Sequence, residues 1–467
     1  MSATLLDGSA EGIAAAVRAG RISARAVIEA TLERIAARNA KLGAFTDVLA
    51  ERALARADAI DAARAKGETL GPLAGAPFAV KNLFDVKGLP TRAGSKINRD
   101  LAPAGEDATL VTRLEAAGAI LVGALNMGEY AYDFTGENAH DGPSRNPHDL
   151  AHMAGGSSGG SGSAVAGGLT PFSLGSDTNG SIRVPSSLCG LFGLKPTYGR
   201  LSRARTFPFV ASFDHLGPLA RSVGDLSATY DAMQGPDVGD PAQADKPVTL
   251  TRAGLDEGIA GLRIARLGGF FARGGEAAAY EAVECVAKAL NATRAELPGA
   301  EIARAAAYLI TMTEGAALHL DRLRERAGDY DPDVRDRLIA GAMLPGVWTV
   351  RAQKYRRQFR DEARALFRDV DVLLAPATPC RAPKIGQRTF VLDGRELLVR
   401  PNLGFYTQPI SFIGLPVVTV PIWTEGVKLP IGVQVIAPAW REDIALRVAR
   451  ALEREGVAKA PVADFSA

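Results

Sequence analysis

Apolar positions near the start of the chain follow a helical period. Between residues 10 and 35 they return every three or four positions, which predicts two amphipathic helices. Ser23 precedes the second of these helices, and serine is a residue type that caps helix N-termini. Residues 51–66 are rich in Ala, Arg and Asp and predict a further amphipathic helix. The first 65 residues are therefore expected to be helical.

After residue 66 the pattern changes to short apolar runs separated by helical stretches. Residues 77–84 and 119–123 predict buried strands, and residues 108–117 between them predict a helix with Asp107 as its N-cap. This alternation is typical of an α/β fold. Similar runs predict strands at residues 169–174, 261–268, 371–376, 409–422 and 431–436, and helices at residues 275–368 and 442–455.

The charge balance narrows the classes of partner. Among 467 residues, 54 Lys and Arg face 52 Asp and Glu, which gives a formal net charge of +2. A basic surface for nucleic acid is therefore absent, and no nucleic-acid partner is expected. The N-terminus lacks a basic region followed by an apolar segment, and the apolar stretch at residues 117–125 is too short to cross a bilayer. These features predict a cytoplasmic protein with no membrane contact.

The cysteines point to no special chemistry. Cys189, Cys285 and Cys380 are few, odd in number and without C-x-x-C spacing, which argues against a disulfide framework or a zinc site. Each lies in an apolar or Pro-rich stretch, so three packed thiols are expected. We expect neither a metal nor a cofactor.

The most unusual stretch is the Gly- and Ser-rich segment at residues 154–168. A flexible linker is disfavoured because the segment continues into an apolar strand, so an ordered loop is favoured. Phosphate binding is weakly supported, since the segment lacks the Gly-Lys-Ser/Thr of a Walker loop and the third glycine of a Rossmann fingerprint. Residues 156–160 also match the G-x-S-x-G pattern of hydrolases around Ser158. However, neither His215 nor His319, which follow it, lies in a context typical of a catalytic triad.

Serine chemistry without a well-placed histidine needs another base. A lysine can serve if burial or neighbouring positive charge keeps it neutral. Lys81, at the end of the apolar run at residues 77–84, fits that requirement. The alternative interpretation is a structural lysine extending from a strand end towards solvent. The residues alone do not decide between the two.

Several motifs together resemble the amidase-signature family, over nearly the whole chain. The resemblance implies a single α/β/α domain, residues 1–467, with a large mixed central sheet covered by helices. Within it, residues 1–65 would form N-terminal helices, 66–235 the signature core, 236–370 a mainly helical cap and 371–467 the C-terminal part of the core. The motifs are residues 77–82 (PFAVKN), 144–147 (SRNP), 155–161 (GGSSGGS), 175–185 (GSDTNGSIRVP), 193–198 (GLKPTY), 214–218 (DHLGP) and 414–421 (GLPVVTVP).

The resemblance also assigns roles to individual residues. It implies a Ser–Ser–Lys triad in which Ser181 is the nucleophile, Ser157 relays the proton and Lys81 is the base. The backbone N–H groups of Thr178, Asn179, Gly180 and Ser181 would form the oxyanion hole. Asn179 replaces the commoner glycine of the family, and asparagine tolerates a positive φ at such a turn. It is also a candidate to project its amide into the pocket. Asp177 and Arg183 resemble a buried pair that braces the turn.

Within the family, the resemblance is strongest to hydrolases that release ammonia from a small carboxylated urea derivative, 1-carboxybiuret. It implies a homodimer of heterodimers, each heterodimer containing one small helical partner subunit. A carboxylated substrate needs a cation or several hydrogen-bond donors in the pocket. By proximity to the motifs, the candidates are Arg145, Arg92, Lys96, Tyr132, Asn138 and Gln408.

Two other functions remain open from the sequence. The amidotransferase that acts on glutamyl-tRNA contains an A-type component with the same signature, which supplies ammonia to a charged tRNA, and another small-amide amidase would also fit. A binding protein that has lost catalysis is the second alternative. The presence of Lys81, Ser157 and Ser181 together argues against that loss.

Overall fold

The computed structural model describes residues 6–465, and its first part is a helical layer. Helix α1 (Ala10–Arg18), α2 (Ala24–Leu42) and α3 (Ala50–Ala65) confirm the helical periodicity of this region. The Ser23 side chain accepts a hydrogen bond from the Ala26 N–H, so its predicted capping role is confirmed. A short strand, β1 (Phe45–Val48), lies between α2 and α3, where the sequence analysis had predicted only helices.

A mixed sheet of 11 strands forms the centre of the fold. Besides β1 it contains β2 (Pro77–Lys81), β3 (Ile120–Leu125), β6 (Phe172–Asp177), β7 (Phe192–Lys195), β8 (His215–Ala220), β9 (Ile264–Leu267), β10 (Thr293–Ala295), β11 (Val372–Pro376), β14 (Val417–Ile422) and β15 (Ile431–Ile436). Their order is β1-β3-β2-β6-β8-β7-β14-β15-β11-β9-β10. Strand β2 is parallel to both β3 and β6, whereas β6 is antiparallel to β8. Strands from all four predicted segments of the chain join this one sheet.

Helices cover the sheet, which confirms the predicted α/β architecture with a large mixed sheet. Strand β6 carries the small-residue helix α5 (Gly159–Ala166), and β14 and β15 carry α6 (Arg183–Cys189). The other core helices are α4 (Thr109–Ala116), α7 (Val223–Met233), α8 (Ala277–Ala289), α12 (Val399–Asn402), α13 (Gln408–Phe412) and α14 (Glu442–Arg454). Two small two-stranded sheets are formed by β4 (Arg145–Asn146) with β5 (Asp149–Met153) and β12 (Thr389–Leu392) with β13 (Arg395–Leu398).

Three long helices pack together beside the core. Helix α9 (Ala300–Arg326) contacts α10 (Pro332–Ala342), α11 (Gly346–Leu366) and α13. The helical pattern at residues 275–368 is thus largely confirmed, apart from strand β10 within it. Among residues 6–465, no helix has both the length and the apolar character needed to cross a membrane.

Some local expectations were wrong. Residues 409–422 were expected to be one strand, but residues 408–412 form helix α13, which has a proline in its first turn, and only residues 417–422 are extended. Asp107 does not cap α4, because its carboxylate is bound by Arg52. Cys285 is exposed and not packed, whereas Cys189 and Cys380 are buried as expected.

Candidate active site

Lys81 lies at the carboxyl end of strand β2, completely shielded from solvent. Its neighbours on the strand are apolar and buried, so the side chain cannot extend into water. Its Nζ instead lies 2.6 Å from the Ser157 Oγ and 2.8 Å from the Ser176 Oγ. The interpretation of Lys81 as a strand-end lysine extending to solvent is therefore wrong.

The surroundings of Lys81 lower its basicity. Burial brings the pKa of the amine down from its usual value near 10.5 to about 7, although the carboxylates of Asp177, Asp214 and Asp133 act in the opposite direction. A large fraction of the amine is therefore neutral at physiological pH. A neutral amine next to a serine hydroxyl can accept its proton, as general-base chemistry requires.

The Gly- and Ser-rich segment is ordered, as favoured from the sequence: it begins as a loop at residues 154–158 and continues as helix α5. Ser157 and Ser158 are fully buried, and the Ser157 carbonyl accepts a hydrogen bond from the Gly128 N–H at 3.1 Å. A side chain at Gly156 would overlap the Asp133 carboxylate. The absence of a side chain at this position is what lets the loop approach Asp133 and hold Ser157 beside Lys81.

The turn after strand β6 presents a row of backbone donors. Among the residues that the structure describes, no acceptor pairs with the N–H groups of Thr178, Asn179, Gly180 and Ser181. The positive φ of this turn falls on Gly180, at +147°, and Asn179 does not adopt one, so the turn does not depend on the tolerance of asparagine for a positive φ. Side chains hold the turn from both sides: the Thr178 Oγ1 donates to Asp214 at 2.6 Å, and the Thr407 Oγ1 donates to the Asn179 carbonyl at 2.6 Å.

A buried ion pair braces the same turn, as the sequence predicted. The Arg183 guanidinium contacts Asp177 through Nε and Nη2, both at 2.9 Å, and both side chains are fully buried. Burial alone would raise the pKa of Asp177, but the charge and hydrogen bonds of Arg183 hold it well below its usual range. The Asp177 carboxylate also accepts the N–H of Ile182 at 3.2 Å. It therefore fixes the backbone immediately after Ser181.

Ser181 lies in the wall of a narrow cavity of about 20 Å³. Its Oγ has no hydrogen-bond partner among residues 6–465, and in particular none is formed with Ser157. The structure thus forms the Lys81–Ser157 link and leaves the Ser181 hydroxyl beside the cavity.

The residues considered for substrate binding divide into two groups. Tyr132 and Gln408 lie in the cavity wall beside Ser181. Asn138, Arg145, Arg92 and Lys96 do not. Asn138 uses its amide to bind four backbone groups, including the carbonyls of Gly94 and Met127, and the Arg145 guanidinium donates to the Leu150 carbonyl at 2.9 Å.

Arg92 and Lys96 also lie outside the cavity wall. Arg92 pairs with Asp47 at 2.9 Å, and Lys96 pairs with Asp329 at 2.7 Å. Both cations are thus engaged by carboxylates elsewhere on the protein, which removes the ground for assigning them to the substrate. Their closeness to the motifs in sequence did not place them in the pocket.

The structure adds a cavity cation that the sequence did not suggest. Arg337, on helix α10, lies in the cavity wall, where its guanidinium stacks over the Tyr132 ring at 3.8 Å from the ring centroid. It donates to the carbonyls of Asp333 and Tyr132. Its Nη1 has no hydrogen-bond partner within the described part of the chain. No motif surrounds Arg337, so only the packing of α10 identifies it.

A second, larger cavity of about 260 Å³ adjoins the first. The two share Ala131, Thr178 and Phe209 as lining residues, and the larger one also reaches Ser176, the second neighbour of Lys81. Open space therefore flanks the turn at residues 178–181 on two sides.

A serine–histidine triad is not formed. The Ser158 Oγ donates to the Ser176 carbonyl at 3.2 Å. His319 lies in helix α9 beside the Tyr330 hydroxyl, and the Nδ1 of His215 contacts the Asp177 carbonyl at 3.0 Å. The G-x-S-x-G match around Ser158 is therefore a coincidence of composition.

Known proteins match the chain over nearly its whole length. The amidase family model matches residues 26–446. The AtzE component of 1-carboxybiuret hydrolase from Pseudomonas sp. (strain ADP) is 55% identical, over 96% of this chain and 98% of that protein. The A-type component of glutamyl-tRNA(Gln) amidotransferase from Anaeromyxobacter sp. (strain K) is 40% identical, over 94% of each chain. An inhibitor-bound structure of a vestigial protein complex, related to the origins of an s-triazine catabolic enzyme, superposes with a TM-score of 0.96 at 54% identity. That match covers 97% of this chain and 100% of the other.

Proposed function

Because the chain belongs to the amidase family and is a serine amidohydrolase, we propose that it releases ammonia from 1-carboxybiuret, a small carboxylated ureide. The observation that carries the proposal is a cavity that holds both the Ser181 hydroxyl and the Arg337 guanidinium. A serine nucleophile beside a cation suits a substrate with a carboxylate at one end and a carboxamide at the other. The 55% identical relative is named for this activity.

The reaction proceeds through an acyl-enzyme. Ser181 attacks the terminal carbonyl while its proton moves to Ser157, and the proton of Ser157 moves to neutral Lys81. The backbone N–H groups of residues 178–181 stabilise the oxyanion that forms. The relay then runs in reverse and protonates the nitrogen that leaves as ammonia. Water hydrolyses the acyl-enzyme by the same relay and frees Ser181.

The Ser157–Ser181 contact closes when the substrate binds. Catalytic hydrogen bonds are often long before the substrate is present and shorten in the complex. The carbonyl oxygen occupies the free donors of residues 178–181 and brings the reacting carbon to Ser181. Lys81 and Ser157, already 2.6 Å apart, need no rearrangement.

Arg337 binds the substrate carboxylate. Charge-assisted hydrogen bonds to a guanidinium contribute about 1.5–3 kcal/mol, so removing them weakens binding substantially. We expect Arg337→Met to lower kcat/KM for 1-carboxybiuret by about 10- to 100-fold, chiefly through KM. Initial rates over a range of substrate concentrations measure this effect.

The control for that experiment is Arg335→Met, on the same helix, because Arg335 pairs with Asp336 and is absent from the cavity wall. Its kcat/KM should match that of the wild type. A value for Arg337→Met within twofold of the wild type would remove Arg337 from the substrate site.

The chain works with a small helical partner protein, in a homodimer of such heterodimers. Support comes from the 54% identical structure, which is that of a protein complex. Expression with the neighbouring genes of its source, followed by size-exclusion chromatography with light scattering, tests the assembly. Elution of this chain as a lone, fully active monomer would contradict it.

A substrate panel tests the proposed activity. Purified enzyme is assayed for ammonia release from 1-carboxybiuret, biuret, allophanate, malonamate, glutamine and a simple aryl amide. We expect kcat/KM to be highest for 1-carboxybiuret, by at least about tenfold, because the carboxylate and the terminal carboxamide are both recognised. Preferred release from glutamine would instead favour an amidotransferase component of the A type, in line with the 40% identical relatives.

A further inference from the structure

The side chain of Asn179 carries an acceptor that the protein leaves unused. Asn179 lies in the wall of the cavity that holds Ser181, and only 5% of the residue is exposed. Its Oδ1 is buried and has no hydrogen-bond partner among the described residues. An unpaired buried acceptor costs about 1–3 kcal/mol, so its presence needs an explanation.

A neighbouring threonine fixes which way the amide points. The Thr311 hydroxyl, on helix α9, donates its proton to the Ala307 carbonyl at 2.8 Å. Its oxygen can then only accept, and it lies 2.8 Å from the Asn179 Nδ2. The amide must therefore direct its NH2 group at Thr311. Oδ1 remains as the free acceptor, and rotating the amide by 180° would break this pairing.

The position of Asn179 places this acceptor next to the reacting carbonyl. Asn179 belongs to the same turn as the free backbone donors of residues 178–181, two residues before Ser181. When those donors bind the carbonyl oxygen of the substrate, the carbonyl carbon has two other substituent atoms. Both of these atoms then lie close to the Asn179 side chain. In a ureide, one of these atoms is the leaving NH2 and the other is a retained N–H. In an ordinary amide, the retained atom is carbon.

We propose that the Asn179 Oδ1 accepts a hydrogen bond from the retained N–H and thereby selects ureides over carbon-chain amides. This inference rests on the proposed function and names the group that recognises its substrate class. A site that pairs a buried polar atom with a substrate N–H rejects analogues lacking it, because the site atom is then left unpaired. The leaving NH2 is common to both classes and cannot supply this discrimination.

Two stable ligands of equal length provide the test. In N-carbamoyl-β-alanine, three atoms separate the carboxylate carbon from the carboxamide carbon, and the last of them is N–H. In glutaramate the same three atoms are all carbon. Both are measured as competitive inhibitors of 1-carboxybiuret hydrolysis, and the ratio of their inhibition constants reports recognition of the retained N–H alone.

The wild type should bind the ureide at least about tenfold more tightly than glutaramate. Asn179→Gly should bring the ratio close to one. Thr311→Val, which frees the amide to rotate without altering the oxyanion turn, should lower it partly. The matched control is Thr313→Val on the same helix, whose hydroxyl binds the Leu309 carbonyl outside the cavity. That variant should keep the wild-type ratio.

Each outcome bears on a different claim. Equal inhibition by the two ligands in the wild type, including none by either, would overturn the role of Asn179. So would an unchanged ratio in Asn179→Gly, even if its kcat fell through damage to the turn. Absence of 1-carboxybiuret hydrolysis by the wild type would instead overturn the proposed function, and inhibition of whichever panel substrate is cleaved would still measure the ratio.

Discussion

Replacing Ser181 with alanine is expected to lower kcat for ammonia release by about 10⁶-fold, the largest effect among single substitutions in this protein. Without the hydroxyl no acyl-enzyme forms, and the proton relay through Ser157 has nothing to activate. Only orientation by the oxyanion donors remains, which accounts for a small residual rate. Ammonia detection with a coupled enzyme measures the rate, and mass spectrometry of a quenched reaction tests for the acyl-enzyme.

The control is Ser227→Ala. Ser227 is equally buried, lies on α7 and exchanges a hydrogen bond with Thr251 far from the cavity. It should retain the wild-type kcat. A Ser181→Ala variant with activity within tenfold of the wild type, or with an acyl-enzyme of unchanged mass, would exclude Ser181 as the nucleophile.

Substitution of Lys81 by methionine should have the second-largest effect on kcat. We expect kcat to fall by about 10³- to 10⁴-fold, the contribution of a well-placed general base. The wild-type kcat/KM should rise with pH to a plateau with a midpoint near 7, because only the neutral amine accepts a proton and its pKa is about 7. In Lys81→Met this rise should vanish.

Lys96→Met is the control for the pH profile, since Lys96 is half exposed and pairs with Asp329. It should leave the midpoint unchanged. A midpoint that persists in Lys81→Met would assign the pH dependence to another group.

Lys81→Met should also stabilise the fold. In the unfolded chain Lys81 keeps its proton up to pH 10.5, whereas in the folded protein it keeps it only up to about pH 7. The unfolded state therefore binds more protons between these values, and wild-type stability rises with pH across that window. Below pH 7 the full cost of burying the charge is present. Lys81→Met should raise the free energy of unfolding there by roughly 2–4 kcal/mol, after the loss of two hydrogen bonds, and the gain should shrink towards pH 10.5. Urea denaturation at pH 6 and pH 9.5 measures both.

The sequence predicted that Lys81 and Ser157 lie together, but it predicted less of the pocket, for a physical reason. Residues 77–84 and 155–181 carry strong local signals, an apolar strand and Gly-rich turns whose backbones approach closely. The strand pairing of β2 with β6 then brings their ends together. The roles of Lys81, Ser157 and Ser181 as a triad stay a prediction until the substitutions above are made.

Only part of the cavity wall, Tyr132 and Gln408, could be predicted in this way. Arg337 and Thr311 lie on helices more than one hundred residues after Ser181, in a region with an ordinary amphipathic pattern. Their position depends on how α9 and α10 pack, which no local motif encodes. Arg92, Lys96 and Arg145 were considered for substrate binding because they lie near motifs in sequence. Their charged groups instead bind Asp47, Asp329 and the Leu150 carbonyl, respectively.

Burial also fails to identify a base on its own. Lys195, at the end of strand β7, is as buried as Lys81, and burial lowers its pKa to about 7 as well. Its ammonium group, however, donates to the carbonyls of Leu415 and Pro196, and no serine hydroxyl of residues 6–465 accepts from it. The hydrogen-bond partners, and not the depressed pKa, distinguish the two lysines.

The division of the cavity between distant segments has an evolutionary consequence. The groups proposed for bond cleavage lie within residues 81–183, whereas Thr311, Arg337 and Gln408 come from residues 311–408. A gene that diverges at these three positions, and keeps Thr407 to hold the turn at residues 178–181, can therefore acquire a new substrate while inheriting an intact reaction mechanism. Laboratory recombination of family members with a crossover between residues 236 and 260, which connect α7 to β9, should accordingly yield chimaeras that take the carboxylate-binding side of the cavity from the C-terminal parent and keep the Asn179 side of the N-terminal parent.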